Sequence, residues 1–224
     1  MRYSEITEVY EELSKTPKRL EKVDILVKFL KKLQKDDDKE WIYLLRGRVL
    51  PDYDSREFGI SRQLVMKIIC KASGISKADV LKEFNKIGDL GEVAEKLLRN
   101  KKQSTLYSTH LTIDKVFDNL KKLYDLSGKG SVGKKNDIVS ELLTSANGLE
   151  AKWIVRTVLA DLRIGVADST LRDSLAEAFF SSEKNAMAEK IQSVYDLSND
   201  FAEIFAAVIK GKKALDKISI VPGK

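Results

Sequence analysis

Apolar residues recur at three- and four-residue spacing along nearly the whole chain, as at Ile6, Val9, Tyr10 and Leu13, and again at Val116, Phe117, Leu120, Leu123 and Tyr124. That spacing puts them on one face of a 3.6-residue helix, with polar residues on the other. The same period predicts helices over roughly residues 21–34, 39–50, 61–73, 90–100, 135–146, 150–161, 168–180, 185–197 and 199–210. Ser76-Lys77-Ala78-Asp79 reads as a capping box that opens a further helix, with Val80, Leu81 and Phe84 on one face, and Thr112 and Gly128 punctuate the helix around Val116. Strand-like alternation is confined to Ile218–Val221, where Pro222-Gly223 follows at once and marks an extended linker. The fold class expected is all-α.

Laid on itself, the chain shows a weak internal repeat. Val9-Tyr10 and Leu13 match Val116-Phe117 and Leu120, and Lys22-Val23-Asp24-Ile25 matches Lys135-Asn136-Asp137-Ile138. Trp41-Ile42 matches Trp153-Ile154, and Phe58-Gly59-Ile60 matches Ile164-Gly165-Val166. Each half runs helix, helix, Trp-bearing helix, apolar-Gly-apolar turn, helix. We therefore expect one domain over residues 1–216 made of two pseudosymmetric halves, about 1–100 and 111–216, with a polar connector at 101–110. Residues 217–224 would begin a linker.

Composition narrows the chemistry. The 224 residues include 40 Lys or Arg and 34 Asp or Glu, a net charge of +6 on a 43% hydrophobic chain, which reads as a soluble globular protein. One cysteine, Cys70, forms no internal disulfide, and one histidine, His110, has no second His or Cys beside which to hold zinc. Zinc enzymes, His-based triads and redox pairs are thereby set aside, and no metal site is expected. The longest apolar stretch, Ile204–Ile209, is far short of a bilayer span, and the start lacks a signal-peptide core. A cytoplasmic, monomeric protein without membrane contact is expected.

Several glycine-bearing turns carry candidate chemistry. Gly128 to Lys135 follows the phosphate-loop pattern until Lys135 stands where a Ser or Thr should hold magnesium, and it follows a predicted helix where a strand is required. What remains is a glycine-rich helix start with Ser131, Gly133, Lys134 and Lys135, able to attract phosphate or to stand as a solvated loop. In Leu162, Arg163, Ile164, Gly165, Val166 and Ala167, glycine between apolar residues makes a tight turn whose amides face outward as the next helix begins. Gly59, Ile60, Ser61 and Arg62 form a second copy. Either is an ordinary helix corner taken alone; duplication beside Arg62 and Arg163 favours a DNA backbone. Gly88, Asp89, Leu90 and Gly91 make another turn before a helix. Gln103, Leu106 and Tyr107 set an apolar pair in the basic connector, suited to anchoring a partner or to tucking under adjoining helices. No nucleophile or paired carboxylates stand out, and Asp36-Asp37-Asp38 reads as a solvated turn.

Together, Phe58-Gly59-Ile60-Ser61, Gly88-Asp89-Leu90-Gly91-Glu92, Leu111-Thr112-Ile113-Asp114-Lys115 and Ala151-Lys152-Trp153 through Leu162-Arg163-Ile164-Gly165-Val166-Ala167 closely resemble the amino-terminal DNA-binding domain of ATP-dependent DNA ligases of the archaeal and eukaryotic replicative type. The resemblance covers essentially the whole chain, and the short start at Arg2-Tyr3-Ser4 looks archaeal. It implies sequence-independent binding of nicked duplex DNA through the minor groove and phosphate backbone, in replication, repair and recombination. It further implies that the turns at 59–62, 88–91, 131–135 and 162–167 face DNA. The family's chemistry runs through a lysine-AMP intermediate with ATP and Mg²⁺; its Lys-x-Asp-Gly motif is absent from this sequence, so the chain alone should be a catalytically inactive fragment without a cofactor of its own. Gln103–Tyr107 resembles a shortened sliding-clamp peptide. The rival readings are a helical protein-interaction scaffold and a nucleotide-binding phosphotransferase using Gly128–Lys135.

Overall fold

The computed structural model describes residues 1–36, 38–99 and 110–219, which form helices and, among themselves, no strand beyond an isolated bridge between Arg2 and Thr112. The helices are α1 (Tyr3–Lys15), α2 (Arg19–Leu33), α3 (Arg62–Ser73), α4 (Lys77–Ile87), α5 (Leu90–Leu98), α6 (Ile113–Tyr124), α7 (Ser131–Ser145), α8 (Gly148–Val158), α9 (Asp168–Phe179), α10 (Lys184–Ser198), α11 (Phe201–Lys210) and α12 (Lys212–Leu215). The all-α expectation is met. Capping explains why most begin where they do: Ser61, Ser76, Asp89 and Thr112 each accept a hydrogen bond from the backbone N–H three residues on, and Asn147 with Glu150 closes a full capping box.

The helix expected over 39–50 is shorter and tighter, a 3₁₀ segment at Lys39–Arg46 ended by Gly47 in the left-handed region (φ 67°). Ile218 and Ser219 are not in a strand, and 220–224 lie outside the described residues.

The chain forms two compact units, Met1–Glu8 with Arg56–Arg163, and Val9–Ser55 with Ile164–Lys224. In the first, α3 packs on α7 and α5 on α8, while α4 lies against α3 and α5. The α3–α7 seam buries Val65, Ile68 and Ile69 with Val139, Leu142 and Leu143. α5 and α8 approach more closely. A β-carbon on Gly91 would stand 2.9 Å from the Lys152 carbonyl, and one on Gly148 would stand 2.8 Å from that of Glu95. Position 91 thus faces 152 while 95 faces 148, so the two helices run antiparallel with backbones in contact. In the second unit, α2 packs on α9, the 3₁₀ segment on α11, and α10 on α9 and α11. Its core holds Leu26, Leu30, Ile42, Leu44, Leu171, Leu175, Ile204 and Phe205.

Each unit therefore draws on both sequence halves. The first joins α3–α5 of one half to α6–α8 of the other; the second joins α2 and the 3₁₀ segment to α9–α11.

Candidate nucleic-acid interface

In the first unit, Phe58 anchors the turn into α3 by burying its ring against Tyr124, centroids 4.6 Å apart. Gly59 follows with φ +59°, a conformation that costs an L-residue about 1–2 kcal/mol, and it is exposed. Ile60 is half-buried, Ser61 caps α3, and Arg62, its first residue, is exposed. Lys135 reaches this turn from α7. Its side chain is buried, its Nζ donates to the Phe58 carbonyl at 2.7 Å, and it stands 2.9 Å from where a Gly59 β-carbon would be.

The rest of the Gly128–Lys135 segment is open. Gly133 and Lys134 are exposed, Ser131 is half-buried, and no side chain caps α7, whose N-cap is Gly130. The segment follows helix α6 rather than a strand, and position 135 carries a lysine bonded to the Phe58 carbonyl instead of a hydroxyl able to hold magnesium, so the arrangement a phosphate loop needs is not present. This removes the structural basis of the phosphotransferase reading.

A second cluster in the same unit centres on Asp89. Its Oδ1 caps α5 by accepting from the Glu92 N–H at 2.9 Å, and its Oδ2 accepts from Arg156 at 3.2 Å and from Arg163 at 2.9 Å. Burial alone would raise this carboxyl, yet the Glu92 amide and the two guanidiniums hold it below the usual carboxylate range. Arg163 also donates from Nε to Asp161 at 2.9 Å; this hydrogen bond, more than the burial that opposes it, lowers the Asp161 carboxyl. Arg62, Arg156 and Arg163 share a shallow cleft with Asp89, Asp161 and Gly88. Gly88 is exposed, whereas Leu90 and Gly91 are buried; Gly91 serves the α5–α8 contact described above. Leu162 is buried, and Arg163 is exposed with φ +56°, unusual for a residue with a side chain.

In the second unit, Ile164 is buried, Gly165 is exposed with φ +62°, and Val166 is half-buried. Ala167 is the N-cap of α9 and offers no side-chain acceptor, which leaves the helix start to other partners. Lys22 of α2 lies beneath this turn: its Nζ donates to the Ile164 carbonyl at 2.7 Å and to that of Gly165 at 3.0 Å. A β-carbon on Gly165 would overlap that nitrogen. Next to it, Asp168 pairs with Arg46 at 2.6 Å, and Arg46 and Arg48 both pair with Asp52.

Sequence reasoning named the glycine turns and Lys135 but not Lys22, Arg156 or Asp161. Lys22 carried a signal, since the repeat aligns it with Lys135. Asp161 carried a weak one, standing two residues before the Arg163 it pairs with. Arg156 carried none, because its partner Asp89 is 67 residues away in sequence. Gln103, Leu106 and Tyr107 lie outside the described residues. Among the described residues, no group of three His, Cys, Asp or Glu side chains is placed to hold a metal ion, and no helix is long and apolar enough to cross a membrane.

These features define a class: an all-helical protein whose glycine turns lead into helix starts and are underpinned by lysines. The chain belongs to the DNA ligase N terminus family, whose model matches residues 2–176. It is 38% identical over 226 residues to a DNA ligase of Methanosphaera stadtmanae, covering 99% of this chain and 40% of that protein. A Thermococcus fumicolans DNA ligase is 35% identical across 100% of this chain and 39% of its own length, and one from Methanocaldococcus jannaschii is 31% identical across 98% and 38%. The chain thus spans about two fifths of the length of these archaeal relatives.

Proposed function

We propose that this chain is the DNA-clasping part of an ATP-dependent DNA ligase and binds nicked duplex without reading its sequence. The observation that supports this most directly is the recurrence of one device. Gly59 and Gly165 are both exposed, both take positive φ, and both lead into a helix start. Such turns admit a phosphodiester close to the backbone, where amides and the positive helix end meet it. Exposed Arg62 and Lys134 add sequence-independent charge, and Arg163 does so where its carboxylate partners yield to phosphate. Contact along the minor groove follows from the same reading, since backbone approach there needs no base-specific side chains. Lys135, Leu90, Gly91, Leu162 and Ile164 shape these turns from within.

Adenylation of a lysine by ATP with Mg²⁺ and sealing of the nick then belong to the remaining part of the longer ligase, because no Lys-x-Asp-Gly occurs among these 224 residues. Connector residues Gln103, Leu106 and Tyr107 are proposed to meet a sliding clamp.

A titration of fluorescent nicked duplex at several salt concentrations tests the DNA reading. Affinity should fall steeply and log-linearly with salt and should be equal for duplexes of unrelated sequence. Salt-insensitive binding, or none, would remove the proposal and favour a protein-interaction scaffold.

A further inference from the structure

Lys22 and Lys135 stand apart from buried Lys152 and from half-buried Arg156 and Arg46. Each is 8% exposed, and among the described residues no carboxylate lies within ion-pair distance of either. The others are paired: Lys152 with Glu92 at 3.0 Å and Glu95 at 3.6 Å, Arg156 with Asp89 and Glu92, and Arg46 with Asp52 and Asp168. A buried ammonium without a counter-ion is costly. Carbonyl hydrogen bonds offset part of that cost, two for Lys22 and one for Lys135, out of three N–H donors each.

Both lysines come from a helix that packs across the helix following the turn, α2 on α9 and α7 on α3. Both heads fill the space where the glycine's β-carbon would be, so the charge lies directly under an exposed, side-chain-free stretch of backbone. We propose that the missing counter-ion is a backbone phosphate of the duplex, and that Lys22 and Lys135 are the charges that hold one phosphodiester on each glycine turn. The inference rests on the DNA reading above and gives it specific residues. The glycines then have two tasks, adopting positive φ and leaving room for the lysine head. The remaining N–H donors are directed to phosphate oxygen, which makes charge-assisted bonds shorter and stronger than those to a carbonyl.

The test is K22M and K135M in the whole chain, singly and together. Methionine keeps most of the buried stem and removes the charge. Nicked-duplex binding is measured across salt, with thermal unfolding in parallel. Each variant should lower the log-log salt slope by about one unit, and the pair by about two, because each released counter-ion contributes about 0.9. A lysine that only braces its turn would lower the melting temperature and leave the slope unchanged, which would overturn the inference. Nitrogen-15 spectra of the lysine ammonium groups in the unmodified protein give a second reading that no unfolded variant can spoil. Addition of nicked duplex should shift both buried signals, and two unmoved signals in a DNA-saturated sample would equally overturn it. Failure of the unmodified protein to bind duplex at all would instead sink the underlying DNA reading.

Discussion

Arg163 shows how much a single side chain's setting alters what it can deliver. It is exposed, but it is shared between Asp161 and Asp89, so its charge is largely answered before any phosphate arrives. Arg163→Ala should therefore reduce the salt slope by less than the full unit expected of an unpaired cation. Asp161→Asn should act the other way, freeing the guanidinium, tightening nicked-duplex binding and steepening the slope; a titration of both variants against the parent checks the pair, and weaker binding by Asp161→Asn would mean that the carboxylate positions Arg163 productively. Gly165→Val should do more harm than either. It sets a β-branched residue at φ +62° and drives a β-carbon into the Lys22 ammonium, so both melting temperature and affinity should fall. Retention of both would show that the turn is more pliant than its geometry indicates.

At the scale of the element, the capping box of α8 offers a pH-dependent test. Glu150 accepts from the Asn147 N–H at 2.9 Å and is buried, and burial raises its carboxyl despite that hydrogen bond and the charge of His110. A folded-state value raised above the unfolded one contributes stability that is fully present below the unfolded value, about 4.3, and is lost as pH rises through the raised value. Glu150→Gln keeps an acceptor without the charge. It should be at least as stable as the parent at pH 7 and should flatten stability against pH in the weakly acidic range, whereas Glu150→Ala should lose about 1 kcal/mol with the cap. Denaturant melts at about pH 4, just below the unfolded glutamate value, and at about pH 7, well above it, would show this, and a Gln variant much weaker than the parent at the higher pH would contradict it.

Elements of this kind were legible in the sequence because their causes are local. Apolar period and capping residues placed nearly every helix, and Ser76, Thr112 and the segment around Trp153 fell where expected. The short 3₁₀ segment was not legible, since Trp41, Ile42, Leu44 and Leu45 are apolar at a spacing either helix type satisfies, and Gly47 truncates them. At the site, the turns could be read from glycine between apolar neighbours, but their supports could not. Lys135 was marked as a phosphate-attracting residue and the repeat aligned Lys22 with it, but only tertiary packing shows that both heads lie under the turns. Likewise, Gly91 reads as part of a loop, yet it is the contact point of α5 with α8.

At the scale of the whole molecule, the proposed roles predict that clamp contact and DNA contact are separable. Leu106→Ala with Tyr107→Ala should weaken binding to a sliding clamp several-fold and leave nicked-duplex affinity and its salt slope nearly unchanged. Loss of both activities together with a lowered melting temperature would place these residues in the core instead.

The composition of the two compact units also bears on how the chain is made. The second unit needs residues 9–55 and residues from 164 onward, so its first segment leaves the ribosome more than a hundred residues before its partner. The first unit needs only 1–8 and 56–163 and can close earlier. During synthesis, α2 and the 3₁₀ segment must therefore wait with Leu26, Leu30, Ile42 and Leu44 unburied, and the loop that finally brings them to α9 and α11 encloses the whole of the main segment of the other unit. High contact order of this sort slows folding and prolongs exposure of apolar surface. The order in which its segments emerge then bears on how much of the newborn protein reaches the native state.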